Sequence, residues 1–158
     1  MTRAMRTMTV LILAGLLTSA SRVRAEDWPC WRGPSHEGIS VEKFKTDWSE
    51  QPKVLWEQPI GAGFSAFACV KDRVYTCGTK DKQQVLCCFD AATGKSIWEV
   101  PFEKAYRDGM GGDGTRATPT VDDGRVYIVG GWGLLLCVDA ADGKEIWKKQ
   151  LNKKPNWG

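Results

Sequence analysis

An eleven-residue pattern occurs twice in this chain, as CFDAATGKSIW at 88–98 and CVDAADGKEIW at 137–147, 49 residues apart. The similarity extends upstream. Val74-Tyr75 precedes the first copy, Val126-Tyr127 precedes the second, and 70–73 matches 121–125 with one insertion. A shorter echo lies earlier still, where Val54-Leu55-Trp56-Glu57 resembles Ser96-Ile97-Trp98-Glu99 at a spacing of 42. Repetition every ~40–50 residues restricts the fold to stacked supersecondary units, and the four-stranded propeller blade fits that period. The alternation inside each unit is that of strands. The first unit reads as strands over 65–70, 73–78, 85–90 and around Ile97-Trp98, with a turn at Lys71-Asp72, a polar link over 79–84 and a turn over 91–95. The second reads as strands over 117–121, 125–130, 134–139 and 145–150, with turns at 122–124, 131–133 and 140–144.

The motif residues divide the work of a tight turn and a joint. Asp90 and Asp139 stand just before their turns, where a carboxylate accepts backbone N–H bonds. Gly94 and Gly143 allow the turn a positive φ. Trp98 and Trp147 each offer a large flat apolar ring with one donor, suited to stack between neighbouring blades while the N–H finds a carbonyl. The chain holds eight Trp against three Tyr, which points to a repeated structural task for the indole.

The pattern small-x-Asp-x-x-x-Gly-x-x-x-Trp, with Cys88 and Cys137 where alanine is usual, resembles the tryptophan-docking motif of pyrroloquinoline-quinone-type (PQQ-type) propeller repeats. The stretch 112–147 and the leading segment DWPCWRGPSHEGIS at 27–40 are similar to exported, non-lipidated PQQ-like repeat proteins of environmental bacteria. The resemblance covers 27–158 and implies an all-β fold. That fold is a partial β-propeller of about two four-stranded antiparallel blades plus an N-terminal closing strand. The implied organisation is a lead-in over 26–53 and repeats over 54–158. The repeats comprise a closing strand at 54–58, one blade over 64–102, a second over 115–151 and the start of another at 156–158. Propellers close with several more blades, so the chain is expected to be the N-terminal part of a longer protein, in which 54–58 completes the last blade. Without that neighbour the 54–56 edge is open to pairing or aggregation. The alternatives are a free-standing two-unit sandwich and a ring assembled from several chains.

Residues 1–25 read as a secretory signal peptide. Arg3 and Arg6 form a positive start, VLILAGLL at 10–17 an apolar run, and Val23 and Ala25 place small residues for cleavage after Ala25. The run is too short for a bilayer, which takes about 20 residues. The other reading is an uncleaved anchor or a mis-assigned start. The first cysteine is Cys30, away from the cleavage point, so a lipid anchor is not expected and the location is periplasmic or secreted. Removing the segment's four arginines from the 22 basic residues leaves 18 against 19 acidic. No basic stripe remains for nucleic acid or a membrane surface.

Several groups invite chemical readings. Cys87-Cys88 resembles the vicinal pair of PQQ-dependent alcohol dehydrogenases, but it lies inside a strand, where neighbours point to opposite faces. Its plain reading is two small apolar residues in blade cores. Six cysteines (30, 69, 77, 87, 88, 137) in an exported chain permit disulfides; Cys77 with Cys87, on neighbouring strands, is the pair to test first. No Cys/His spacing suits zinc. His36, the only histidine, sits in the Gly/Pro-rich lead-in and reads as a surface residue. Residues 109–114 match GxGxxG literally, but a strand follows where a dinucleotide site needs a helix. Arg116 reads either as a solvated loop residue or as facing the channel.

Two functions follow from the resemblance. The first is a binding or scaffold module without a complete active site, holding an unidentified protein or polysaccharide, as do propeller scaffolds of the outer-membrane assembly machinery. The second is the N-terminal part of a PQQ-dependent alcohol or sugar dehydrogenase, to which the lead-in at 27–33 also corresponds. No catalytic, cofactor or metal residue is expected within this chain. PQQ with calcium enters only through a full-length enzyme.

Overall fold

The computed structural model describes residues 25–43, 46–47 and 49–151. The expected signal segment (all but its last residue), Trp48, and the expected start of a third unit at 156–158 lie outside the described residues. Eight strands follow one another: β1 Ala68–Val70, β2 Arg73–Lys80, β3 Gln83–Asp90, β4 Ser96–Lys104, β5 Thr120–Asp122, β6 Arg125–Val129, β7 Leu134–Asp139 and β8 Glu145–Gln150. They form two four-stranded sheets, β1-β2-β3-β4 and β5-β6-β7-β8, antiparallel throughout. This is the meander of a propeller blade, twice, in an open arrangement.

The link expected over 79–84 is mostly strand. β2 continues to Lys80 and β3 begins at Gln83. The hairpin closes on Asp81 and Lys82 alone, at φ 47° and 64°. Two left-handed residues are what a tight hairpin loop of the right twist requires, and here it forms without glycine. The expected strand at 54–58 carries no ladder. Residues 51–60 run without strand pairing, and the nearest bridge is Gly61 to Thr79. A strand exists through its partner's hydrogen bonds, and no described strand lies beside this segment.

Alternation along the strands sends the apolar residues of the first sheet to two faces. Tyr75, Cys77, Leu86, Cys88 and Trp98 pack against Val126, Ile128, Leu136 and Val138 of the second sheet. Val85, Cys87 and Phe89 face the other way and are covered by Ile60. Both sheets bulge at the same repeat position. Cys88 pairs with Trp98 but Phe89 with Ser96, leaving Ile97 extra; Cys137 pairs with Trp147 but Val138 with Glu145, leaving Ile146 extra. A bulge bends and twists the outer strand just before the motif Trp.

Candidate functional site

The repeated turn is built as its residues dictate. Asp90 Oδ1 accepts from Thr93 N at 2.8 Å and Thr93 Oγ1 at 2.6 Å, and the Thr93 hydroxyl and then its N–H hold the carboxyl below its ordinary value. Asp139 Oδ1 accepts from Ala141 N at 2.7 Å. Gly94 and Gly143 close the turns by donating to Asp90 O and Asp139 O, at φ 70° and 74°.

Each turn seats the indole of the preceding unit. Trp98 Nε1 donates to Ala140 O at 3.2 Å, and a Cβ on Gly143 would stand 2.8 Å from its ring. Trp56 repeats this one unit earlier, donating to Ala91 O at 3.0 Å, with a Cβ on Gly94 falling 2.5 Å from its ring. Glycine is therefore needed twice over, for φ and for close approach. Trp147 stands against Tyr127 as Trp98 stands against Tyr75, with ring centroids at 6.1 and 5.9 Å. Trp98 is 8% exposed and Trp147 is 40% exposed.

A second joint, which the sequence reading missed, lies at the other end of the sheets. Gln84 is fully buried and uses its whole hydrogen-bonding capacity. Its Nε2 donates to Glu103 Oε2 at 2.9 Å and Lys104 O at 3.0 Å. Its Oε1 accepts from Thr115 Oγ1 and Gly131 N, both at 3.0 Å. Glu103 then accepts from Trp132 N at 3.0 Å and Leu134 N at 3.3 Å, so two side chains of the first sheet receive the β6–β7 turn of the second. A bulge aims Glu103 there. Val85 pairs with Pro101 but Gln84 with Glu103, so the extra Phe102 brings Glu103 onto the face that meets the second sheet.

The lead-in lies along the inner edges. Trp28 exchanges backbone hydrogen bonds with Cys69, and Val121 N donates to Pro29 O at 2.8 Å, so one segment spans both innermost strands. Beside it opens a cleft of about 830 Å³ between the β1–β2 and β5–β6 turns, lined among others by Asp27, Lys71, Arg73, Tyr75, Asp122 and Asp139. At the opposite end, cations and rings alternate. Lys104 lies over Trp132 at 4.4 Å, Trp132 meets Tyr106 at 5.3 Å, and Arg116 lies over Phe64 at 4.6 Å. Arg116 is not presented to the channel. Its guanidinium donates to Gly111 O, Gly112 O and Asp108 Oδ2, tying down its own glycine-rich loop. After that loop comes β5, with no helix, so the GxGxxG match has no dinucleotide geometry.

All six cysteines are free. Thr76 opposes Cys87 and Cys77 opposes Leu86, so Cys77 and Cys87 point to opposite faces of the sheet and cannot be bridged. The expectation that they pair is corrected by this register. Cys87 and Cys88 likewise face opposite ways, both buried. They present no disulfide on which a planar quinone could stack, and no three His, Cys, Asp or Glu among the described residues are placed to share a metal ion. The described residues do not fit PQQ with calcium. His36 Nδ1 lies 3.5 Å from Cys30 Sγ in the exposed lead-in loop, away from any serine–carboxylate pair.

Burial raises the thiols, Cys77 to about 12 and Cys87 and Cys88 to about 11, from 9.0. The neutral forms are favoured in the fold, so their contribution is complete below pH 9 and is lost as pH climbs through 11–12. At pH 8 a disulfide reagent should leave these three unmodified in the folded chain and modify all six cysteines in urea. Rapid native labelling of Cys77, Cys87 or Cys88 would contradict the packing.

The family model described as outer membrane protein assembly factor BamB matches residues 45–156. No curated protein matches the chain. Among solved structures, the quinohemoprotein alcohol dehydrogenase from Comamonas testosteroni aligns with TM-score 0.56 and 19% identity, over 78% of this chain and 19% of that one. BamB from Moraxella catarrhalis aligns with TM-score 0.37 and 18% identity, over 55% of this chain and 22% of that one. A quinohemoprotein alcohol dehydrogenase from Pseudomonas putida HK5 aligns with TM-score 0.47 and 18% identity, over 63% and 14%. The chain thus spans about a fifth or less of these structures. The Comamonas alignment carries the fold and nothing of the activity.

Proposed function

The chain belongs to the PQQ-type repeat family described as outer membrane protein assembly factor BamB, and from that premise we propose that it acts in an exported β-propeller as a binding and scaffold module. The observation carrying this reading is the family match across 45–156. The site adds support. Asp90, Gly94, Trp98, Asp139, Gly143 and Trp147 are assigned to docking one blade on the next, and the polar side chains of the second joint hold backbone rather than reacting groups. Surface left for a partner is the 830 Å³ cleft with its mixed charges and the aromatic rim around Phe64. Both suit a protein loop or a polysaccharide. In the full-length protein, a photo-crosslinking residue at the fully exposed Met110 should capture a discrete envelope component. Addition of PQQ and Ca²⁺ should give neither bound quinone nor dye reduction. Quinone-dependent dye reduction with an alcohol or sugar would reject the scaffold reading.

That second outcome belongs to the alternative, a PQQ-dependent dehydrogenase. The lead-in at 27–33 favours it, and in that enzyme the quinone and calcium would be held by residues outside those described. Both readings place the protein in the periplasm or outside the cell. Mass spectrometry of the exported chain should find Glu26 at its N-terminus; a chain still starting at Met1 would refute cleavage after Ala25.

A further inference from the structure

The open face of the second sheet is a near copy of a buried one. Tyr127, Val129, Leu135, Cys137 and Trp147 stand where Tyr75, Cys77, Leu86, Cys88 and Trp98 stand in the first sheet, by strand register. The first set is buried against the next sheet; in the second, Val129 is 38% and Trp147 40% exposed. What an indole in this setting receives is an Asp-x-x-x-Gly turn with a free carbonyl one residue after the Asp. The described residues contain two such turns. The Asp139 turn is held by Trp98, which belongs to a paired strand in the core. The Asp90 turn is held by Trp56, from a segment with no strand pairing and with Val54 and Leu55 exposed.

We propose that Trp147 of one copy enters the Asp90–Gly94 turn of a second copy, displacing Trp56, so that chains associate head to tail. The second copy brings the matching surface as well as the turn. Val74, Thr76, Cys87 and Phe89 beside that turn correspond by register to Val126, Ile128, Leu136 and Val138, which already pack on the Trp98 face. The incoming indole is carried by a hydrogen-bonded four-stranded sheet, whereas Trp56 is carried by a single unpaired strap. Trp56 is then a competitor for the site, which slows association without abolishing it. The contact is heterologous, so it propagates into rings or open chains. The inference rests on blade geometry and stands or falls apart from the scaffold reading.

Sedimentation velocity of the full chain over a concentration series tests it. Wild type should associate with rising concentration, and Trp147→Ala should stay monomeric at concentrations where wild type does not. Trp56→Ala should associate at concentrations at least tenfold lower than wild type, because the competitor is gone. A generally sticky apolar surface gives no such increase. Unreactive Cys77, Cys87 and Cys88 verify the fold of each variant; if Trp56→Ala fails that check, Trp56→Phe removes only the N–H bond and should shift association the same way. The proposal is overturned if Trp147→Ala associates like wild type, or if loss of Trp56 leaves association unchanged or weaker. It is also overturned if wild type remains a monomer with Trp147 shielded in radical footprinting, which would assign the face to residues beyond 151.

Discussion

Trp98→Ala should destabilise the chain by about 3–5 kcal/mol, and Trp147→Ala by less than about 1. The two residues hold the same place in the repeat, pair with the same kind of tyrosine and oppose a cysteine on the neighbouring strand. What differs is the cover. Trp98 is 8% exposed, its ring on the Gly143 turn and its N–H on Ala140 O. Removing it opens a cavity between sheets that meet through this ring, and leaves the carbonyl to find water. Trp147 is 40% exposed with no turn above it, so its truncation removes little buried area. Small domains hold about 5–15 kcal/mol in total, so the first substitution consumes a large share of that. Gly143→Ala should approach the same loss from the other side, because its Cβ would meet the Trp98 ring at 2.8 Å in a backbone at φ 74°. Urea unfolding followed by far-UV circular dichroism avoids the change in indole emission. Equal losses at 98 and 147 would mean that the inter-sheet joint does not carry the fold.

The blade pattern was legible because its determinants are local. The Asp–Gly turn and the indole ten residues after the cysteine recur in sequence, and strand alternation places them on one face without knowledge of the partner. β7 and β8 coincide with the strands read at 134–139 and 145–150. What stayed hidden depends on contacts that have no sequence period. The Asp81-Lys82 turn carries no Asn-Gly, so β2 and β3 read as shorter than they are. Gln84 lay inside that supposed link and looked solvated, yet it is fully buried. Glu103 reaches the second sheet only because Phe102 is bulged, and a bulge shifts the face of every residue beyond it. The same loss of phase explains the cysteines. Neighbouring strands made Cys77 and Cys87 look adjacent, while register put them on opposite faces.

Gln84→Leu should cost about 2–4 kcal/mol, the largest loss after Trp98. Leucine fills nearly the same volume, so packing changes little and hydrogen bonding carries the effect. The substitution strands Gly131 N, the Thr115 hydroxyl and one bond each to Glu103 and Lys104 O in a site closed to water. Glu103→Ala should cost less, about 1–3 kcal/mol, because Gln84 keeps its other three bonds while Trp132 N and Leu134 N can be reached by solvent. The two residues also fix each other's position, so the double variant should fall short of the summed losses by about 0.5–3 kcal/mol. Urea midpoints at constant slope measure all three. Strict additivity would show that Gln84 and Glu103 hold the β6–β7 turn independently. A shortfall would mark one inter-sheet network, in which case the two sheets are fastened at both ends, by an indole at one and by a buried amide and carboxylate at the other. Such a pair of sheets unfolds as one unit, and fraying of either sheet alone would appear only after one of these two fastenings is cut.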